Sequence, residues 1–269
     1  MTCLGLFDSG VGGLSVLRHL RAQLPAADLL YLADSAHVPY GPRPLAEVRA
    51  FSEAITRFLL AQGAQAVVVA CNTASAAALK HLRTAFPDVP FVGMEPAVKP
   101  AAEQTRTGVV GVLATPATFQ GELFNSVVER FAQGVRVLPQ VCPGLVEQIE
   151  AGELEAPRTE ALLRGWVEPL LAQDIDALVL GCTHYPFVIP LLEKIAGPGV
   201  RVVDPAPAVA RQAARVLNGA GGGRPGRVTY YTTGDPEAFR QAVARLGVAP
   251  APVRAARWDA AGLQVWLAD

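Results

Sequence analysis

The chain has 269 residues, of which 51% are hydrophobic and 17% charged, and its formal net charge is −1. This length and composition predict a globular protein of one or two domains and exclude a disordered chain. The balanced charge argues against a nucleic-acid-binding protein, and no apolar run approaches the roughly 18 residues that a membrane span needs.

The four cysteines are widely spaced and form no CxxC pair; they are Cys3, Cys71, Cys142 and Cys182. The first residues have neither the basic segment nor the long apolar segment of a signal peptide. We therefore expect a cytoplasmic protein whose cysteines are free thiols. The cysteine spacing does not suit a zinc site, and we expect no bound metal.

The chain opens with a predicted strand at residues 4–7, a glycine-rich turn at 8–13 and an amphipathic helix at 14–24. This pattern is typical of a βαβ unit. The glycine spacing is not that of a dinucleotide-binding turn, however, and Asp8 would put a negative charge where pyrophosphate lies. We interpret these glycines as residues that allow a tight turn.

Strands and helices then alternate. The predicted strands cover residues 29–33, 66–70, 91–94, 109–114, 135–138, 177–181 and 200–203. Such alternation predicts an α/β protein with parallel sheets. The tail is predicted to hold a glycine-rich loop at residues 219–226, a strand at 227–233, a helix at 235–246 and a last strand at 253–258.

Three short sequence patterns of the first half recur in the same order in the second half. Residues 4–6 recur at 110–112, Cys71 recurs as Cys182, and residues 95–97 recur at 204–206, with offsets of 106, 111 and 109 residues. Similar offsets indicate two related units. We predict an α/β fold of two similar doubly wound parallel-sheet domains, related by pseudo-symmetry, with the active site in the cleft between them. The tail is expected to return to the first domain, which gives domains of 1–96 plus 207–269 and of 97–206.

The segments at residues 66–73 and 177–184 share one pattern: an apolar run, a cysteine and two hydrogen-bonding residues. Open α/β sheets bind ligands at the carboxyl ends of their strands, and a following helix N-terminus can lower a thiol pKa. Two opposed acid/base groups can remove a proton from one face of a carbon and supply one to the other. The alternative is a pair of buried structural thiols.

Seven motifs taken together resemble the glutamate racemases, within the aspartate/glutamate racemase superfamily; they are residues 7–14, 34–35, 39–41, 70–75, 181–186, 203–206 and 232–235. The resemblance implies cofactor-independent interconversion of L- and D-glutamate, in which Cys71 deprotonates the D enantiomer and Cys182 the L enantiomer. It also implies a supply of D-glutamate for peptidoglycan synthesis in a bacterial cytoplasm.

The same resemblance implies a set of site residues. Asp8 and His184 match residues thought to assist Cys71 and Cys182, respectively. The matched substrate-binding residues are Asp8, Ser9, Tyr40, Gly41, Asn72, Thr73, Thr118, Thr183 and His184, with Glu150 and Ser35 as further candidates. Ala117 stands where the family often has glycine. Taken singly, Asp8 could be only a helix N-cap, Tyr40 could pack a loop, and Glu150 could be a solvated helix residue.

Other functions stay open on the residues alone: an aspartate racemase of the same superfamily, a single-thiol decarboxylase or lyase, or a non-catalytic amino-acid-binding protein. No pyridoxal-binding motif is apparent among Lys80, Lys99 and Lys194, so we expect no cofactor. The expected partner is the small molecule glutamate, with no nucleic acid and no membrane. The sequence leaves a homodimer open.

Overall fold

The computed structural model describes residues 2–217, 224–259 and 262–266. Most of the glycine-rich loop predicted at residues 219–226 lies outside these ranges, since residues 218–223 are not described. The strands are β1 (Cys3–Asp8), β2 (Asp28–Ala33), β3 (Ala66–Val69), β4 (Phe91–Gly93), β5 (Val109–Ala114), β6 (Arg136–Val141), β7 (Ala177–Gly181), β8 (Arg201–Val203), β9 (Val228–Thr232), β10 (Val253–Asp259) and β11 (Gly262–Trp266).

The helices are α1 (Leu14–Gln23), α2 (Leu45–Ala61), α3 (Asn72–Ala85), α4 (Val98–Gln104), α5 (Pro116–Gln120), α6 (Glu122–Phe131), α7 (Leu145–Glu150), α8 (Pro157–Leu171), α9 (Ile189–Ala196), α10 (Ala206–Val216) and α11 (Pro236–Arg245). A short 3₁₀ helix, Tyr185–Val188, precedes α9. The helical segment after β5, for which the sequence predicts one helix to about residue 131, is divided into α5 and α6, because Gly121 adopts an extended conformation between them.

The strands form two sheets whose inner order is the same. The first sheet has the order β11-β10-β9-β2-β1-β3-β4, and the second has the order β6-β5-β7-β8. β1 and β5 therefore occupy matching positions, as do β3 and β7, and β4 and β8. This arrangement confirms the predicted α/β fold of two similar parallel-sheet units related by pseudo-symmetry. We call the parts built on these sheets the first unit and the second unit.

One strand pairing departs from the prediction. β10 and β11 pair antiparallel at the edge of the first sheet, whereas the other described pairs are parallel. The sequence analysis did not predict β11, because alternation over only five residues is a weak signal. The first sheet also includes strands from both ends of the chain, since β9 pairs with β2.

The strands that carry the cysteine motifs are buried along their whole length. All residues of β3 and β7 are buried, in agreement with apolar runs that are covered on both faces. β1 has the same character after Cys3. β3 and β7 occupy equivalent positions in the two sheets, and the cysteines that follow them, Cys71 and Cys182, line one cavity.

Every helix in the described part of the chain is too short or too polar to cross a membrane.

Candidate active site

Cys71 and Cys182 line one small cavity between the two units. The lining residues are Ser9, Pro39, Tyr40, Gly41, Cys71, Asn72, Thr73, Thr115, Val146, Cys182, Thr183 and His184. The volume open to the centre of a water-sized sphere is about 10 Å³, which is room for about one water molecule. In this structure the cavity is therefore smaller than an amino acid, and we call this arrangement the closed form.

Cys71 caps the first helix that follows β3. Its Sγ accepts a hydrogen bond from the Ala74 N–H at 3.5 Å, at the N-terminus of α3. Burial raises the pKa of the Cys71 thiol well above its ordinary value, and the negative charge of Asp8 raises it further, while the Ala74 and Ser9 amides act in the opposite direction. In this closed form the surroundings of Cys71 favour the protonated thiol.

Cys182 has a different partner, the imidazole of His184. The His184 Nδ1 lies 3.7 Å from the Cys182 Sγ, and its Nε2 lies 2.6 Å from Glu150 Oε1. Burial lowers the pKa of His184, but the hydrogen bonds with Cys182 and Glu150 outweigh burial and raise this pKa well above the ordinary value. An imidazolium can donate from both nitrogens, here to the Cys182 Sγ and to the Glu150 carboxylate.

Several hydrogen bonds connect the first unit to the second around this pair. The Thr183 hydroxyl donates to Asp8 Oδ2 at 2.7 Å, and the Ser15 hydroxyl donates to the Thr183 carbonyl at 2.9 Å. Glu150 Oε1 also accepts from the Val11 N–H at 2.9 Å. The glycine turn of the first unit (residues 9–13) is thus held against the residues that surround Cys182.

Asp8 is fully buried and accepts three hydrogen bonds. In addition to Thr183, the donors are the Ser9 hydroxyl at 3.2 Å and the Gly10 N–H at 3.0 Å. Burial raises the pKa of Asp8 above its ordinary value, and the charge of His184 and the hydrogen bonds from Thr183 and Gly10 offset only part of this increase. Asp8 therefore acts on Cys71 through its charge, while its oxygens join the two units.

Tyr40 contributes its ring to the cavity, but its hydroxyl is engaged elsewhere. The hydroxyl donates to Asp34 Oδ2 at 2.6 Å. The buried Asp34 carboxylate also accepts from the Thr233 hydroxyl and the Trp258 indole N–H, each at 2.8 Å. This cluster fixes the loop that carries Tyr40 and Gly41. Ser35 lies outside the cavity lining, and its hydroxyl accepts from Thr232 at 3.2 Å.

Asn72 and Thr73 supply polar groups on the other side of the cavity, whereas the predicted residue Thr118 lies outside the cavity lining. The side-chain amide oxygen and nitrogen of Asn72 are both buried and have no hydrogen-bond partner among the residues that the structure describes. An unsatisfied buried polar group costs about 1–3 kcal/mol, so these atoms are suited to a polar ligand. Thr73 and Thr118 are buried and lie at the two ends of a hydroxyl chain whose centre is Thr115.

The structure adds residues that the sequence analysis missed. Thr115 and Val146 line the cavity, and Ser15 holds the backbone of Thr183. The position of Thr115 directly after β5 was an available signal, because the repeat makes it equivalent to that of Ser9 directly after β1. Nothing in the sequence distinguished Ser15, because a serine within an apolar helical stripe does not by itself indicate a functional residue.

The Glu150–His184 contact leads to a prediction of pH dependence. Glu150 raises the pKa of His184, so Glu150→Gln should lower it and move the loss of the imidazolium to lower pH. We expect the alkaline limb of the kcat/KM profile for racemisation to move to lower pH. The charges of Cys182 and Asp8, which also act on His184, are retained in this variant.

Glu147→Gln provides the matched control, because Glu147 is an exposed residue of the same helix, α7. Its pH profile should coincide with that of the wild type. An unchanged alkaline limb in Glu150→Gln would show that this carboxylate does not control the protonation of His184.

Two facing α/β units, each with a buried cysteine at the carboxyl end of a central strand, define an enzyme site for acid–base chemistry. The family model for Asp/Glu/hydantoin racemases matches residues 11–213, and the chain belongs to this family. This match includes Cys71, Cys182 and His184, while Asp8 lies just before it.

Individual relatives agree with this assignment. The glutamate racemase of Roseiflexus sp. (strain RS-1) is 56% identical over 248 residues, which are 90% of this chain and 91% of the relative. Among solved structures, a Bacillus anthracis glutamate racemase is 31% identical with a TM-score of 0.86, over 94% of this chain and 96% of that one. The Escherichia coli glutamate racemase in complex with L-glutamate and an activator is also 31% identical, with a TM-score of 0.84 and 99% of each chain covered.

Proposed function

We propose that this protein is a glutamate racemase that interconverts L- and D-glutamate with two cysteines and no cofactor. The observation that carries this proposal is the pair of cysteines at equivalent strand ends, which line one cavity from opposite units. Curated glutamate racemases 50–58% identical to the chain support the identity of the substrate.

The different surroundings of the two thiols support a direction for each step. In the closed form, Cys182 beside the His184 imidazolium is the base, and Cys71 is the acid. The Cys182 thiolate takes the α-proton of L-glutamate, and the electron pair of the broken C–H bond stays on Cα. The Cys71 thiol then delivers its proton to the opposite face, which leaves D-glutamate, a Cys71 thiolate and a Cys182 thiol. The reverse reaction runs through the same steps backwards.

The polar cavity residues would stabilise the carbanion, since no pyridoxal group is invoked. Hydrogen-bond donors aimed at the α-carboxylate stabilise the charge that develops on deprotonation. The unpartnered amide nitrogen of Asn72 supplies such a donor, and the Thr73 hydroxyl also lines the cavity, whereas the Ser9 hydroxyl already donates to Asp8. The Thr183 hydroxyl already donates to Asp8, so in this form its oxygen is an acceptor, which suits the substrate ammonium.

The proposal extends to the biological setting. The enzyme would supply D-glutamate for peptidoglycan synthesis in the cytoplasm, and its two units would be domains of residues 1–96 plus 207–269 and of residues 97–206. Sedimentation equilibrium distinguishes a monomer from the homodimer that the sequence leaves open.

Incubation with L-glutamate in D₂O tests the function directly. We expect the optical rotation to decay to zero and the D-glutamate formed to carry deuterium at Cα, because Cys71 exchanges its proton with solvent. Loss of rotation without deuterium would contradict the two-base route. Binding of glutamate without either change would indicate a non-catalytic binding protein, and a higher kcat/KM for aspartate would indicate an aspartate racemase.

A further inference from the structure

Tyr31 is a fully buried residue of β2 that lies outside the cavity lining and contacts the glycine turn. Its hydroxyl donates a hydrogen bond to the Gly10 carbonyl at 2.6 Å. A Cβ placed on Gly13 would lie 3.0 Å from the same hydroxyl, so the turn packs closely against this side chain. The Tyr31 ring stacks on Phe239 and meets Tyr230 edge-on. The ring is therefore fixed by packing, while its hydroxyl holds the turn.

The peptide bond between Gly10 and Val11 connects Tyr31 to the second unit. Its carbonyl accepts from Tyr31, and its N–H donates to Glu150 Oε1 at 2.9 Å. The C=O and N–H of a trans peptide point in opposite directions, so Tyr31 and Glu150 hold this peptide from its two sides. Glu150 Oε1 also lies 2.6 Å from the His184 Nε2. A continuous series of hydrogen bonds thus runs from Tyr31 to the imidazole of His184.

The surroundings of Tyr31 keep its hydroxyl protonated. Burial raises the pKa of this hydroxyl well above its ordinary value, and the negative charges of Asp8 and Glu150 raise it further. Tyr31 is therefore a hydrogen-bond donor at any pH at which the protein is assayed. Without this donor, the buried Gly10 carbonyl would lose its bond to the hydroxyl, and an unsatisfied buried carbonyl is costly. The peptide would then be free to turn away from Glu150.

We infer that Tyr31 is a positioning residue for the proton transfer at Cys182, because it fixes the peptide whose N–H holds Glu150 against His184. The inference rests on the proposed racemase function, since it assigns Tyr31 to one of two proton transfers.

The environment of the other thiol is held by different contacts. Cys71 accepts from the Ala74 amide of α3, and Asp8 keeps the Thr183 and Ser9 hydroxyls as donors when the Tyr31 hydroxyl is removed. Loss of this hydroxyl should therefore affect the step at Cys182 more than the step at Cys71.

The test compares Tyr31→Phe with Tyr230→Phe. Each variant removes one hydroxyl that donates to a backbone carbonyl, but the acceptor of Tyr230 is Ala249, an exposed residue between α11 and β10. We expect Tyr31→Phe to lower kcat/KM for racemisation about fivefold, the effect of one net hydrogen bond. Tyr230→Phe should leave kcat/KM at the wild-type value.

Deuterium at Cα shows which proton transfer has changed. The isotope effect on kcat/KM reports proton removal by Cys182 when the substrate is α-deuterated L-glutamate, and proton removal by Cys71 when it is the D enantiomer. A step that becomes more rate-limiting expresses more of its isotope effect. Tyr31→Phe should therefore raise the isotope effect for L-glutamate and lower it for D-glutamate, whereas Tyr230→Phe should change neither. A lower kcat/KM with both isotope effects unchanged would mean a purely structural role and would overturn the inference.

A second variant covers the case in which Tyr31→Phe does not fold. Replacement of Tyr31 by 4-fluorophenylalanine fills the space of the hydroxyl without supplying a donor. It should change the two isotope effects in the same opposite directions. Wild-type isotope effects in this variant would equally overturn the inference.

Hydrogen exchange of the Val11 amide, followed by NMR, gives a result that does not depend on activity. Tyr31→Phe should speed this exchange about fivefold, because the peptide is no longer held from both sides, and Tyr230→Phe should not. Unchanged exchange at Val11 in a protein that racemises glutamate overturns the role of Tyr31 alone. A wild-type protein without racemase activity overturns the proposed function itself.

Discussion

Cys71→Ala and Cys182→Ala are each expected to lower racemisation of glutamate by about 10²- to 10⁴-fold, the range that a positioned acid or base contributes. The reason is that each thiol serves one face of Cα from its own unit, so neither cysteine can replace the other. Circular dichroism or optical rotation measures the rate from either enantiomer.

Hydrogen exchange in the same variants gives a sharper result than the rates. Cys71→Ala keeps the Cys182–His184 pair, so it should exchange the α-proton of L-glutamate with D₂O without inverting it and leave D-glutamate unlabelled. Cys182→Ala should exchange the α-proton of D-glutamate without inverting it and leave L-glutamate unlabelled. Cys3→Ala is the control, because Cys3 is a half-buried thiol at the amino end of β1, away from the cavity. Wild-type racemisation in either variant of the cavity cysteines would refute the two-base mechanism.

Gly12→Ala is expected to lower kcat/KM by about 10²-fold, the effect of an error of about 1 Å in the placement of a catalytic group. A Cβ at Gly12 would collide with the His184 Nδ1 and would lie 2.7 Å from the Thr183 Oγ1. The backbone of Gly12 is not in the left-handed region, so alanine is unfavourable there only because of the second unit. The added methyl group would prevent closure around the Cys182–His184 pair.

Gly165→Ala provides the matched control for this substitution. Gly165 lies in the exposed part of α8, where an added Cβ would meet no atom within 4 Å. Alanine should raise the free energy of unfolding by about 0.5–1 kcal/mol there and leave kcat/KM within about twofold. Thermal unfolding followed by circular dichroism would report the stability of both variants. Wild-type kcat/KM in Gly12→Ala would show that the glycine turn does not limit closure.

The fold could be predicted where the hydrophobic and cysteine pattern of the sequence was long and repeated. The recurrence of Cys71 as Cys182, at matching strand ends, predicted two similar units, and the sheets have the same inner order. The antiparallel strand β11 and the break at Gly121 were not predicted. Both depend on local backbone conformation over a few residues, for which apolar periodicity carries little information.

Most residues that line the cavity could be predicted from the sequence, but their hydrogen-bond partners could not. Ser9, Tyr40, Gly41, Asn72 and Thr73 all line the cavity with the two cysteines. The sequence could not show that the Tyr40 hydroxyl is engaged by Asp34, or that Thr183 donates to Asp8. These contacts join positions distant in the sequence, and only the packing of the units brings them together.

The completion of the first sheet by the end of the chain determines the order in which the protein can fold during synthesis. The second sheet, β5 to β8, is continuous in sequence and can form as soon as it leaves the ribosome. β2 has no partner on one side until β9 is made, and Asp34 receives the hydrogen bonds of Thr233 and Trp258 only then. Domains generally fold N-terminal first, whereas here the loop that carries Tyr40 is among the last parts of the cavity to be fixed. A nascent chain that ends before β9 would therefore contain both cysteines and still have an incomplete site.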